Sequence, residues 1–217
     1  SPDMNFEPTV RAAAATGKPL IISTGLALPE EIDKTLSWVQ DEIGDAPLGE
    51  RMVLLHCVSA YPTPVQEVNL LSIPYLNERY PVYIGFSDHT IGLTAPRAAV
   101  ALGATVIEKH FTDKKDGRTF RDHELSADPD DMKALVEDVK VIKNALGTPG
   151  KTRTDSELPN LLPVRKGVVA ARDLSEGTVL TRDDLMFARP ATEVPAERVG
   201  ELVGKTLKTP LLKGNLI

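Results

Sequence analysis

Cysteine is nearly absent from this chain. Cys57 is the one cysteine in 217 residues, which excludes an intrachain disulfide and fits a reducing, cytoplasmic setting. Basic charge is not in excess either. The formal net charge is -6 and the isoelectric point lies near 5.3, so there is no basic stripe for a phosphate backbone and no nucleic-acid partner is expected. Long apolar runs are missing too. Met52 to Leu55 is representative, far short of a membrane span, and no basic leader precedes an apolar signal region, so no membrane anchoring is expected. The chain also lacks an initiator Met and opens on Ser1-Pro2-Asp3, a polar loop-like start that suits a fragment as well as a natural terminus. What is present is ordinary for a globular protein: 41% hydrophobic and 26% charged residues, enough for one or two cores.

The hydrophobic pattern repeats a strand-helix grammar. Lys18-Pro-Leu-Ile-Ile-Ser-Thr reads as a buried strand ending in hydroxyl residues before Gly25. From Pro29 to Ile43, Ile32, Leu36, Val39 and Ile43 recur at helical spacing, and Glu30 and Glu31 sit where the helix dipole favours them. A second strand, Met52 to Cys57, runs into a turn-rich loop and a helix predicted over Glu67 to Arg79. A third, Val82 to Phe86, ends at Ser87-Asp88-His89-Thr90 and precedes an alanine-rich helix over Leu93 to Leu102. A fourth, Ala104 to Ile107, ends at Glu108-Lys109-His110. Asp128-Pro129 then starts a helix with one long apolar stripe, Met132, Leu135, Val136, Val139, Ile142 and Leu146, stopped by Gly147. Four such units predict an α/β fold with a parallel sheet, as half of an eightfold barrel or as a small open sheet. Residues 149–163 read as a polar, proline-containing linker, and 164–217 as a small, mostly β module broken by Gly and Pro.

Each predicted strand carries its reactive residues at the C-terminal end, where parallel α/β folds place their sites. These are Ser23, His56 with Ser59, Ser87 with His89, and Glu108 with His110. Two imidazoles at neighbouring strand ends, beside Asp88 and Glu108, suit a divalent metal with open positions, or equally a pair of hydrogen-bonded structural histidines. Ser23, Ser59 and Ser87 are placed to ring a phosphate, although serine is also a common loop residue. Cys57 reads as packing. The charged stretch from Asp113 to Glu124 follows the last strand over the mouth, which brings Asp122 or His123 toward a substrate.

The segments Lys18-Pro-Leu-Ile-Ile-Ser-Thr-Gly, Leu54-Leu-His-Cys-Val-Ser-Ala-Tyr-Pro-Thr-Pro, Gly85-Phe-Ser-Asp-His-Thr and Ile107-Glu-Lys-His-Phe-Thr-Asp resemble, in order and spacing, the sialic acid synthase family. The resemblance implies strands five to eight of a (β/α)8 TIM barrel over residues 1–148 and an antifreeze-like (SAF, β-clip) domain over 164–217. It implies condensation of phosphoenolpyruvate with N-acetylmannosamine or a related N-acylated amino sugar. It further implies His89 and His110 as ligands of a divalent metal, Mn2+ foremost with Mg2+ or Co2+ as substitutes. By the same resemblance Ser1, Ser23 and Ser87 hold the phosphate. Ser59 stands in that cradle where well-known N-acetylneuraminate synthases carry Asn, which leaves the sugar open. Tyr61 and Asp122 match sugar-contacting positions, and Asp3 and Glu108 match acidic positions near the reacting centre. Arg189 resembles the residue that one subunit's small domain inserts over its partner's site, which implies a domain-swapped homodimer. Two alternatives stand beside this: an inactive fragment or split half-barrel serving as a binding or assembly module, and a metal-dependent aldolase that uses pyruvate itself.

Overall fold

The computed structural model describes residues 2–118, 122–191 and 194–217. Its chain divides into two compact units, 1–148 and 149–217, and each is described by itself.

In the first unit four parallel strands lie side by side in chain order. They are β1 (Leu20–Ser23), β2 (Met52–Cys57), β3 (Tyr83–Asp88) and β4 (Ile107–Lys109). Parallel neighbours need crossovers, and the helices supply them: α2 (Pro29–Ile43) after β1, α3 (Ser72–Arg79) after β2, α4 (Thr94–Ala101) after β3 and α5 (Pro129–Leu146) after β4. A further helix, α1 (Glu7–Ala15), precedes β1. The Glu31 carboxylate accepts the Leu28 N–H at 2.8 Å to open α2, and Pro29 at its first position loses no bond. Arg11 on α1 ties that helix to α2 through Asp41 and Glu42, both at 3.0 Å. The core lies between sheet and helices. Val39, Leu54, Ile73 and Ile84 are fully buried there, with Met52, Phe86 and Ala99.

Three elements differ from the sequence expectation. The helix expected from Glu67 begins only at Ser72, because Asn69 takes a left-handed turn (φ 47) and donates to Ser72 Oγ at 3.0 Å. The fourth strand is three residues long and starts at Ile107, although Thr105 N–H and Val106 O already bond to Ile84 O and Phe86 N–H. On α5, only Leu135 of the expected stripe is buried; Val136 and Leu146 are half exposed.

The second unit has an antiparallel pair, β5 (Gly167–Ala170) with β6 (Leu185–Ala188). Isolated bridges join Val169 to Leu216, Leu174 to Leu211 and Val179 to Thr206. A small core of Val168, Ala170, Leu174, Leu180, Leu185 and Leu202 fills it. Asp184, whose side chain is 3% exposed, accepts from Thr181 N–H and hydroxyl and pairs with Arg172. Among the described residues no helix is long and apolar enough to cross a membrane.

Candidate active site

Side-chain alternation sorts the strand ends into two sets. On β2, Met52 and Leu54 face the helices, and His56 follows them. Its Nε2 lies 2.7 Å from Val68 O and its ring stacks on Phe86. Burial pushes the His56 pKa down, against the pull of the Val68 carbonyl. His56 therefore belongs to the helix layer, which corrects its expected place among the reactive strand ends.

The opposite face carries the other set. Cys57 is registered with Ser87, and Ser87 with Glu108. The buried Ser87 hydroxyl donates to Glu108 Oε1 at 2.7 Å. Ser23 is registered with Leu55, two residues lower on that face, and is half-buried. Gly85, between Leu55 and Val106, is required by close approach. An added Cβ would meet Leu55 Cδ2 and Val106 O, each at 2.5 Å.

Asp88 opposite Lys109 is the last registered pair of β3 and β4, and His89 and His110 come next. Their rings stand edge to face at 5.2 Å. Tyr61 lies 4.2 Å from the His89 ring and 5.8 Å from that of His110. His89 Nδ1 is 2.9 Å from Val58 O, so Nδ1 carries the proton and Nε2 keeps its lone pair. Burial depresses the His89 pKa, but Cys57, the Val58 carbonyl and Asp88 outweigh it and the net shift is upward. His110 Nδ1 sits 3.6 Å from Asp122 Oδ2. Metal-ligating histidines are commonly held in this way, one ring nitrogen fixed by a carbonyl or carboxylate. Among the described residues no group of three or more His, Cys, Asp or Glu converges on one point. The nitrogen donors brought together here are two imidazoles, a donor type that suits divalent first-row ions, with no third protein ligand of these kinds among the described residues.

Beside the histidines, Ser59, Tyr61, Pro62, Asp122, Glu124 and Leu125 line a cleft of about 610 Å³. Among the described residues the buried Ser59 hydroxyl there finds no hydrogen-bond partner, a state that buried polar groups rarely keep. Asp122 holds a left-handed backbone (φ 71), uncommon outside glycine and tolerated by Asp. His123 instead bonds Thr112 Oγ1 at 2.8 Å, so of the two loop residues Asp122 lines the cleft. Burial, followed by the charges of Cys57, Asp122 and Glu108, raises the Tyr61 pKa.

The remaining expected residues lie elsewhere. Asp3 sits exposed on the opening 3-10 turn, Pro2–Asn5, and Ser1 lies outside the described residues. Arg189 belongs to the second unit, where its Nε donates to Val164 O at 2.5 Å. Sequence reasoning missed Lys109. Its side chain is 1% exposed and its Nζ reaches Asp88 Oδ2 at 2.7 Å; a lysine at a buried strand end, level with an aspartate on the neighbouring strand, was the available signal.

The NeuB family model matches residues 1–151, and the SAF domain model matches 165–217. The chain belongs to the NeuB family. It is 37% identical to the N,N'-diacetyllegionaminic acid synthase of Legionella pneumophila over 210 residues, covering 97% of this chain and 58% of that protein. It is 34% identical to the N-acetylneuraminate-9-phosphate synthase of Homo sapiens over 207 residues, covering 94% of this chain and 56% of that one. A crystal structure of N-acetylneuraminic acid (sialic acid) synthetase from Leptospira borgpetersenii, in complex with citrate, superposes with a TM-score of 0.66 at 34% identity, over 73% of this chain and 53% of that one. The chain thus spans a little more than half the length of these relatives. Its parallel four-strand sheet is a half-barrel, its second unit is a SAF domain, and the two curated relatives named above are synthases of a legionaminic acid derivative and of N-acetylneuraminate 9-phosphate.

Proposed function

We infer that this chain carries one half of a nonulosonic acid synthase site, in which phosphoenolpyruvate is joined to the aldehyde of N-acetylmannosamine or a related N-acylated amino sugar and phosphate is released. The observation that carries the reading is the His89–His110 pair facing Tyr61 beside a cleft whose Ser59 hydroxyl is unpartnered among the described residues. A divalent ion held by His89 and His110, Mn2+ foremost, would supply Lewis acidity toward the aldehyde oxygen. In the reaction C3 of phosphoenolpyruvate attacks the aldehyde carbon, water adds at C2, and the C2–O bond breaks as phosphate leaves. Ser23 and Ser59 supply hydroxyl donors to the phosphate, where charge accumulates, and Ser87 joins them when its proton turns from Glu108 to the phosphate. Glu108, held by Ser87, is the carboxylate assigned to proton movement at the reacting centre. Tyr61 and Asp122 orient the sugar. Arg189 would close over the site of a partner subunit in a domain-swapped homodimer, excluding water, and the setting is cytoplasmic.

The test is phosphate release from phosphoenolpyruvate by the protein that carries this chain. Release should require both an N-acylated mannosamine-type acceptor and a divalent ion, and fall by about 100-fold or more on chelation or in His110→Ala. Full activity after chelation would overturn the metal role. Product formed from pyruvate, without phosphate release, would replace the condensation with an aldol reaction.

A further inference from the structure

We propose that the buried Asp88–Lys109 ion pair is a positioning device that sets the register of β4 on β3 and, through it, the spacing of His89 and His110. The pair is enclosed, with side chains 0% and 1% exposed. Its hydrogen bonds form a closed set: Lys109 Nζ donates to Asp88 Oδ2 at 2.7 Å and to Thr90 O at 2.8 Å, and Asp88 Oδ1 accepts the Thr90 N–H at 2.9 Å. Burying both charges carries a heavy desolvation cost, and well-packed apolar side chains often replace such a pair without loss. Stability is a poor reason for keeping it. Register is a better one.

The ladder at this edge is short. The β1–β2 and β2–β3 pairs have four and five registered positions, while β3–β4 has three. Side chains alternate along a strand, so a slip of one residue would turn His110 from the mouth to the helix side. Further down the two strands the Thr105 N–H to Ile84 O and Phe86 N–H to Val106 O bonds also resist that slip, but they lie away from the strand ends. The ion pair resists it directly, because moving β4 by one residue brings either Glu108 or His110 opposite Asp88 in place of Lys109. The first meets a like charge, and the second leaves a buried carboxylate without its ammonium partner. His89 and His110 are the next residues beyond the pair on each strand, so its geometry passes to their rings with one residue of play.

The effect on metal binding rests on the proposed function; the effect on ring geometry does not. The experiment uses the protein that carries this chain, with histidine side chains isotopically labelled, and reads two quantities: the ring-to-ring nuclear Overhauser effect between His89 and His110, and Mn2+ affinity by electron paramagnetic resonance. The variant Asp88→Leu with Lys109→Met removes both charges together and leaves no orphan. It should fold by circular dichroism, lose or weaken the ring-to-ring signal, and bind Mn2+ at least about tenfold more weakly. Asp88→Asn keeps one acceptor oxygen, enough for either Lys109 or the Thr90 N–H but not both, and removes the charge, so it should give an intermediate signal and affinity. If the double variant fails to fold, Asp88→Asn alone decides. Parental ring signal and parental Mn2+ affinity in either folded variant would overturn the proposal. A parent chain with the ring signal and no Mn2+ binding would remove the metal reading while leaving the positioning role to stand on the ring data.

Discussion

Replacing Gly85 by alanine should damage the sheet directly beneath the histidine pair. The new methyl would sit 2.5 Å from Leu55 Cδ2, 2.5 Å from Val106 O and 3.0 Å from Val106 Cβ. Carbon contacts are comfortable at about 3.5–4.0 Å, so roughly 1 Å of movement is needed. The Leu55 methyl yields by changing rotamer. The Val106 carbonyl does not, since it accepts the Phe86 N–H at 2.8 Å, and the neighbouring Thr105 N–H to Ile84 O bond is equally short. Pushing β4 outward therefore costs overpacking of about 1–3 kcal/mol plus about 1 kcal/mol for a weakened ladder bond. A destabilisation of about 3 kcal/mol is expected from urea unfolding of Gly85→Ala against the parent. Because Ser87 and Glu108 lie further along the same two strands, their 2.7 Å bond should lengthen as well. A loss below about 0.5 kcal/mol, the size of an ordinary surface change, would show that the sheet opens freely here and would refute the argument.

Other substitutions test other links. Asp128→Ala removes the oxygen that accepts the Asp131 N–H at 2.9 Å, and should cost about 1 kcal/mol of α5 stability in a thermal melt, since lost N-caps cost this much. In the SAF domain, hydrogen bonds from the Thr181 N–H and hydroxyl, joined by Arg172, hold the Asp184 carboxyl below its ordinary pKa against the effect of burial. Its folded pKa lies below the unfolded value of about 3.9, so its contribution is complete above that pH and disappears as pH falls through the folded value. Methyl resonances of Val168 and Leu180 should report an acid transition of this unit that is flatter in Asp184→Asn; an unchanged transition would discount the carboxylate. Ser59→Ala should leave folding intact, because the hydroxyl bonds no group among the described residues, while raising KM for phosphoenolpyruvate; an unchanged KM would remove Ser59 from the phosphate cradle.

Much of the first unit was legible because its signals are local. Pro29 with Glu30 and Glu31, and Asp128 with Pro129, mark helix starts without reference to any other part of the chain, and both helices span the residues expected, although α5 buries only Leu135 of its apolar stripe. Helix α1 went unread, since Pro8 is followed by a run of alanines with a weak apolar period. The break at Asn69 depends on one residue adopting a left-handed turn, which spacing does not reveal. Strand ends showed that His89 and His110 would be neighbours, whereas their orientation depends on Val58 O and Asp122, supplied by separate loops. His56 was misplaced because residues 56 and 57 share a strand end but not a face. Lys109 was missed for the same reason in reverse. Only the register of β4 on β3 turns a charged strand end into the partner of a buried aspartate.

These misreadings share a physical origin that also explains how the site is built. Chemistry in a parallel sheet sits where the strands end, so the residues that must be placed most accurately have the fewest backbone bonds to place them. In this chain polar side chains take over from the ladder at that level. Ser87 bonds Glu108 across β3 and β4, Asp88 bonds Lys109 across the same strands on the other face, Val58 O holds His89, and Asp122 faces His110. Of these four contacts, only the Asp88–Lys109 pair is wholly shielded from solvent, so it alone keeps its full strength when the mouth is open to water or filled by substrate. The other three lie on the opposite face of the sheet or in the loops beyond it, where a bound ligand would exchange partners with them. A site arranged in this way stays in register while its exposed groups rearrange, which predicts that substitutions at Glu108 or Asp122 act mainly on chemistry and those at Asp88 or Lys109 act on chemistry and folding together.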